Sequence, residues 1–401
     1  MHQPRLHALD AIRGFALLLG LVLHGSMSFW PGLEELGYPI VDNSRSMPLT
    51  YMFYVLHMFR MAVFFLVAGF FAHLSLHRKG VAGFFKDRFK RIAVPLVVAW
   101  ILSLILIVPI VLWAASKLYG PDYMTILQCS RAAGPSLPIL MHFWFLYYLL
   151  WFYAIAVLCS QLLSAVDPRE IIAGALTSAS FNLCRTRLLL VFAAAISALV
   201  FYQRENWLVW AGIPTPTEAV WREAPAFFIY GLAFCIGWLF DRDRECFVFL
   251  KRDWQLYLAL ALLATTLCIC LLPPEIFTPV TLPASDKFLY AGAYSLASWA
   301  WILTIIGAGM QYFDRESATR RYVADASYWI YLTHLPLLFF LQTLFMDLPL
   351  HWSLKFPLIL LIATPILFWT YEHWVRYTVI GCTLNGPRQR PQATVSGPTT
   401  G

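Results

Sequence analysis

Eight ionisable side chains sit inside or at the edges of long apolar runs: Arg13, His24, His57, Arg60, His142, His334, Glu372 and His373. Such groups are costly in hydrocarbon and mark function by default. At 1.5 Å of rise per helical residue, His24 lies about 16 Å beyond Arg13. A neutral imidazole titrates near neutral pH and can remove a proton from a hydroxyl. A guanidinium can hold an oxyanion or a carboxylate. The residue types therefore suit acid–base chemistry or a proton relay carried out within a membrane.

The surrounding chain supplies the helices that must hold them. It has 401 residues, is 60% hydrophobic and 16% aromatic, and only 13% charged. Soluble domains carry about 25% charged residues, so this composition excludes a soluble globule. Apolar runs near the bilayer-spanning length fall at about 11–30, 50–76, 92–115, 140–164, 187–203, 223–240, 254–272, 288–311, 325–346 and 352–375. The expected fold is all-α and polytopic, with about ten transmembrane helices. The fifth run is short, and "IIAGALTSASFN" before it is a candidate surface helix. One membrane domain is expected over 1–383, followed by a disordered tail at 384–401. The first residues lack a secretory cleavage site, so the first run reads as a retained span.

Basic residues concentrate in alternate connections. Residues 77–91 carry Arg78, Lys79, Lys86, Arg88, Lys90 and Arg91, and further basic residues fall in 241–253 and 312–324. By the positive-inside rule these segments and both termini are cytoplasmic. The net charge of +7 follows from this distribution and does not call for a nucleic-acid partner. Eight cysteines lie mostly in or beside apolar segments with no paired CxxC motif, which suits buried packing better than a metal site.

The first two spans run in opposite directions, which brings Arg60 to the depth of His24. His57 shares a helix face with Arg60 at i, i+3. A polar cluster of His24, Arg60 and His57 is expected, with Arg13 nearer the cytoplasm on the same cavity. For His57 and His373 a bond to a neighbouring carbonyl is the simpler role. His142 is expected at the outer surface, and His334 and Glu372 in the inner half as partner or gate. In "FFKDRFKRIAVP" Arg88 and Arg91 lie three apart, either a phosphate clamp or a plain positive-inside cluster.

"LDAIRGFALLLGLVLHG" (9–25) resembles the signature of the acyltransferase-3 family of integral membrane acyltransferases, with Asp10, Arg13 and His24 in the signature positions. "FRMAVFFLVAGFF" (59–71) is similar to the family's second-helix motif, although Ala68 stands where a serine is frequent. "RFKRIAVP" (88–95), "HFWFLYYLL" (142–150, including Trp144), "ASYWIYLTHLPLLFF" (326–340) and "YEHWVR" (371–376) extend the likeness. The set looks most like the branch that modifies osmoregulated periplasmic glucans.

The resemblance implies transfer of an acyl group, succinyl in that branch, from a cytoplasmic acyl-CoA to a sugar hydroxyl. The donor is a substrate, and no permanently bound cofactor or metal is implied. His24 would be the general base, with Asp10, Arg13 and Arg60 as further catalytic residues. Arg13 would keep the cavity open to charge or orient the donor. Arg60 would meet the oxyanion or the succinyl carboxylate. Arg88 and Arg91 would grip the coenzyme phosphates, with His57 a further donor-binding candidate and His142, Trp144, His334 and Glu372 as other site candidates. The implied partners are acyl-CoA, the glucan acceptor and the lipid of a bacterial inner membrane, and small-residue patches such as "GLAFCIG" (231–237) could pack helix to helix, including between copies. Two alternatives remain open at this stage, an O-acetyltransferase for another envelope polysaccharide and a proton-coupled transporter.

Overall fold

The computed structural model describes residues 7–36, 38–120, 140–204, 207–216, 223–274, 276, 283–386 and 388. Twelve α-helices form among them: α1 His7–Ser26, α2 Met47–Arg88, α3 Val94–Tyr119, α4 Trp144–Val166, α5 Ile171–Arg185, α6 Leu188–Tyr202, α7 Ala224–Arg242, α8 Cys246–Leu271, α9 Ala284–Tyr312, α10 Ala318–Phe345, α11 Trp352–Thr370 and α12 Val379–Asn385. No strand occurs among the described residues. Eight helical stretches are long and apolar enough to cross a membrane, or up to nine if the bent pair α5–α6 counts as one. One of the eight, Met47–Tyr119, runs through 73 residues and holds both the second and the third expected segments. It changes course at Gly80, whose φ of 65° leaves the helical region, and at a π turn over Phe89–Ala93. The chain is a multi-pass, all-helical membrane protein.

The expected fifth span is resolved differently from the others. α6 has 15 residues, about 22 Å of rise, too little for a hydrocarbon core of about 30 Å. α5 and α6 meet at 106°, through Arg187 in the left-handed region. "IIAGALTSASFN" thus forms a helix of its own, separate from the run at 187–203. Asp253 of α8 accepts paired hydrogen bonds from Arg187 and from Arg252, which ties that corner down. Of the expected tail, Leu384 and Asn385 complete α12 and Arg388 pairs with Asp325; 387 and 389–401 lie outside the described residues.

α1 is central, packing on α2, α9, α10 and α11. Close crossings rest on glycine. A Cβ at Gly69 would lie 2.0 Å from the Phe234 carbonyl, and one at Gly237 1.8 Å from that of Leu66. These reciprocal contacts seat α2 against α7, so the "GLAFCIG" patch packs within the chain. α3 lies at the periphery, and Val97, Val98, Ile101, Leu102, Ile105 and Leu106 point outward, as lipid-facing side chains do.

The basic segments gather at one end of the bundle. There Tyr328 donates to the Arg91 carbonyl (2.8 Å), Asn385 to that of Asp325 (2.9 Å), and His73 meets Asp241 (2.8 Å). At the other end the segment before α2 is locked by a buried cation. Lys355 Nζ donates to Asp42 Oδ1 (2.8 Å), Asn43 Oδ1 (2.7 Å) and the Met346 carbonyl (3.3 Å), with Lys355 wholly buried and Asp42 1% exposed.

Candidate active site

Three histidines from three parts of the chain meet inside the bundle. His24 stands in the last turn of α1, His142 in the 3₁₀ turn Met141–Phe143 that enters α4, and His334 midway along α10. Ring centroids are 5.3 Å apart for His24 and His334, 5.0 Å for His142 and His334, and 6.3 Å for His24 and His142.

Hydrogen bonds fix which nitrogens are bases. The Tyr331 carbonyl can only accept, so both His142 Nε2 (3.0 Å) and His334 Nδ1 (2.8 Å) must donate to it. A neutral imidazole carries one proton. His142 Nδ1 and His334 Nε2 therefore bear lone pairs, and both are buried without a hydrogen-bond partner among the described residues. Tyr331 closes the arrangement by donating its hydroxyl to the His142 carbonyl at 2.8 Å. His24 Nδ1 contacts Met27 Sδ at 3.4 Å. A thioether only accepts, which leaves the lone pair on Nε2. His24 is the least enclosed of the three rings, half-buried where the others are buried.

Arg60 of α2 completes the cluster. A Cβ at Gly20 would lie 2.5 Å from Arg60 Nη1, so the guanidinium passes over α1 one turn before His24, on the same helix face. Arg60 is 8% exposed, and its Nε has no partner among the described residues. No Asp or Glu among those residues pairs with it. A buried cation without a counter-charge is strongly unfavourable, and this one faces three imidazoles. An anion entering the cluster would supply the missing counter-charge.

The basic end holds a second group. Arg13 is 3.5 Å from Asp10 and lies over Phe71 at 5.8 Å. Arg88 is enclosed between Phe84 and Tyr153, 5.1 Å from each ring. Arg91 pairs with Asp87 at 3.2 Å, and Lys79 with the same carboxylate at 2.6 Å. Arg88 Nη2 also lies 3.8 Å from the Asp87 carboxylate, so both arginines of the expected phosphate clamp are drawn to one acidic side chain.

Several expected positions change. His142 is not at the surface: it is 6% exposed, because the 3₁₀ turn, entered through a positive φ at Met141, folds inward. His334 lies level with His24 rather than in the inner half. His57 donates to or accepts from no histidine; its Nε2 meets the Ile213 carbonyl at 2.9 Å and its ring stacks on Phe53. It lies 22 residues of α2, about 33 Å of rise, from Lys79 at the basic end. Glu372 binds Arg376 (2.8 Å) on a π turn away from the histidines, and His373 bonds the Trp369 carbonyl. Trp144 stacks on Tyr230 at 5.4 Å beside the cluster. Tyr331 and Gly20 were not singled out from the sequence. Their signals were present as Tyr331-x-x-His334 and Gly20-x-x-x-His24, the spacings that align residues on one helix face.

Comparison with known proteins bears on this arrangement. The acyltransferase-3 family model, described as an acyltransferase domain, matches residues 6–372. Proteins called "Glucans biosynthesis protein C" from Salmonella paratyphi B, Salmonella heidelberg and Salmonella enteritidis PT4 are each 26% identical over 143 residues. The matched stretch covers 36% of this chain and 36% of each relative. No solved structure matches.

Proposed function

This chain belongs to the acyltransferase-3 family of membrane acyltransferases, and on that premise we propose that it moves a succinyl group from cytoplasmic succinyl-CoA to hydroxyls of an osmoregulated periplasmic glucan. The basic end of the bundle is then the cytoplasmic end, both termini lie on that side, and the membrane is the bacterial inner membrane. On this reading the histidine cluster is where a donor from one side and an acceptor from the other meet.

In the reaction His24 Nε2 takes the proton from the acceptor hydroxyl as its oxygen attacks the thioester carbonyl. The carbonyl π pair moves to oxygen, and Arg60 holds the resulting oxyanion. The oxyanion collapses, the C–S bond breaks, and the coenzyme thiolate receives the proton from the His24 imidazolium. The products are a sugar ester and free coenzyme thiol, with His24 neutral again. His142 and His334 present fixed lone pairs that can accept from sugar hydroxyls and orient the acceptor. Arg13 orients the incoming donor.

The observation that carries the reading is the buried guanidinium of Arg60, which pairs with no carboxylate among the described residues, beside a half-buried imidazole whose Nε2 bears a lone pair. A fixed cation beside the base suits a reaction in which negative charge develops on oxygen. His24→Ala should abolish succinyl transfer to glucan while the protein still inserts and purifies normally. Mass spectrometry of periplasmic glucan from cells carrying wild type or variant reads acceptor and acyl group together. Unchanged glucan modification by the variant would overturn the mechanism.

A further inference from the structure

A cleft opens at the basic end between the first turns of α1 and α10. It takes Arg13 from α1, Arg315 from the preceding turn, and Arg320 and Arg321 from the start of α10. We propose that this cleft binds the phosphate groups on the nucleotide end of the donor. The inference rests on the reading above that the donor is an acyl-coenzyme A.

Charge favours it. Four arginines line the cleft with only two carboxylates, Asp10 and Asp325, and Asp325 is already taken by Arg388. Arg321 meets Glu316 at 3.8 Å with both side chains largely exposed, a contact of little strength. Arg320 donates to the Arg315 carbonyl at 2.5 Å and lies over Phe313 at 5.5 Å, so the turn that carries Arg315 is held in place. The first turn of α10 adds the positive end of a 28-residue helix, capped by Ser317, which favours anions.

Position favours it as well. Arg13 and His24 stand eleven residues apart on α1, about 16 Å. Along α10, Tyr328, Tyr331 and His334 follow the cleft at every third residue, and the two tyrosine rings lie parallel 6.4 Å apart. The two helices are pinned together at their starts, where a Cβ on Gly14 would lie 2.9 Å from Ala324 Cα. Cleft and histidines are therefore the two ends of one α1–α10 seam, the separation that a nucleotide-tethered thioester must span. Arg88 and Arg91 are engaged by aromatic rings and by Asp87, whereas the ion pairs of the cleft arginines are long, 3.5 Å for Arg13 with Asp10 and 3.8 Å for Arg321 with Glu316.

Calorimetry on detergent-purified protein with coenzyme A and with adenosine 3′,5′-bisphosphate tests this. Arg315→Gln and Arg320→Gln should each weaken both ligands about tenfold or more, since hydrogen bonds to charged groups are strong. Arg320→Lys, which keeps the charge, should recover part of the affinity and guards against a folding defect. Wild-type binding with both glutamine variants within twofold of it would remove the cleft while leaving the donor assignment standing. Failure of wild type to bind coenzyme A would remove both. An anionic lipid headgroup offers the same phosphate chemistry, so the titration is repeated in phosphatidylglycerol nanodiscs. Wild-type binding of phosphatidylglycerol at the cleft, without binding of the bisphosphate, would overturn the proposal in favour of a lipid site.

Discussion

Gly20 offers a way to move Arg60 without touching its chemistry. The β-carbon added by Gly20→Ala would lie 2.5 Å from Arg60 Nη1, and ordinary van der Waals contact begins near 3.4 Å. The guanidinium must therefore retreat by about 0.9 Å. Nη1 is the far end of a flexible side chain, and the next atom in reach, Arg60 Cζ, is at 3.7 Å, so the backbone need not shift. Stability should hold or rise, because alanine is favoured over glycine in a helix by up to about 1 kcal/mol. Activity should not hold. A misplacement near 1 Å at a catalytic constellation costs about 100-fold in rate, or about 2.7 kcal/mol of barrier. Transfer of radiolabelled succinyl groups to glucan by purified Gly20→Ala measures this, with melting temperature followed in parallel. The double variant with Arg60→Ala adds a coupling test. If Gly20 acts only through Arg60, the two losses are far from additive. Full activity in Gly20→Ala, or strict additivity in the double variant, would refute the placement of Arg60 over His24.

Other expectations follow from the same geometry. Arg60→Gln removes the cation that faces the histidine cluster, so succinyl transfer should fall more than acetyl transfer if Arg60 also answers the second carboxylate; an unchanged succinyl-to-acetyl ratio with activity retained would exclude that role. Tyr331→Phe deletes the 2.8 Å bond to the His142 carbonyl and should cost about 1 kcal/mol of stability, read as a lower melting temperature. Lys355→Met strands the buried Asp42 carboxylate, whose remaining side-chain partner is the Ser44 N–H. It should cost about 3–5 kcal/mol, the range for breaking a buried ion pair, and pairing it with Asp42→Leu should restore most of the loss.

The helical membrane architecture was legible because hydrocarbon demands it. Runs of apolar residues with few charges have no other stable state, and nearly every expected run is matched by a helix. The weak point was the run at 187–203, where length alone could not say how the chain turns at Arg187. Arg13, His24 and Arg60 were legible for the same reason, since ionisable groups in oil stand out. The meeting of His24 and Arg60 followed from the opposite directions of two neighbouring spans.

His142 and His334 show where such reading stops. Each looked like a residue on its own helix, one near a surface and one in an inner half. Their approach to His24 depends on a 3₁₀ turn entered at Met141 and on a single carbonyl, Tyr331, that accepts from both rings. Helix periodicity encodes neither.

The chain's own residues determined that it crosses a membrane, which spans carry costly charge, and where basic residues accumulate, because all of these are local consequences of solvation. Tertiary structure alone decided that His142 and His334 join His24, which ring nitrogens keep their lone pairs, and that Arg60 has no carboxylate beside it among the described residues. Those are properties of contacts between distant segments, set by glycine-seated crossings such as Gly69 against Phe234.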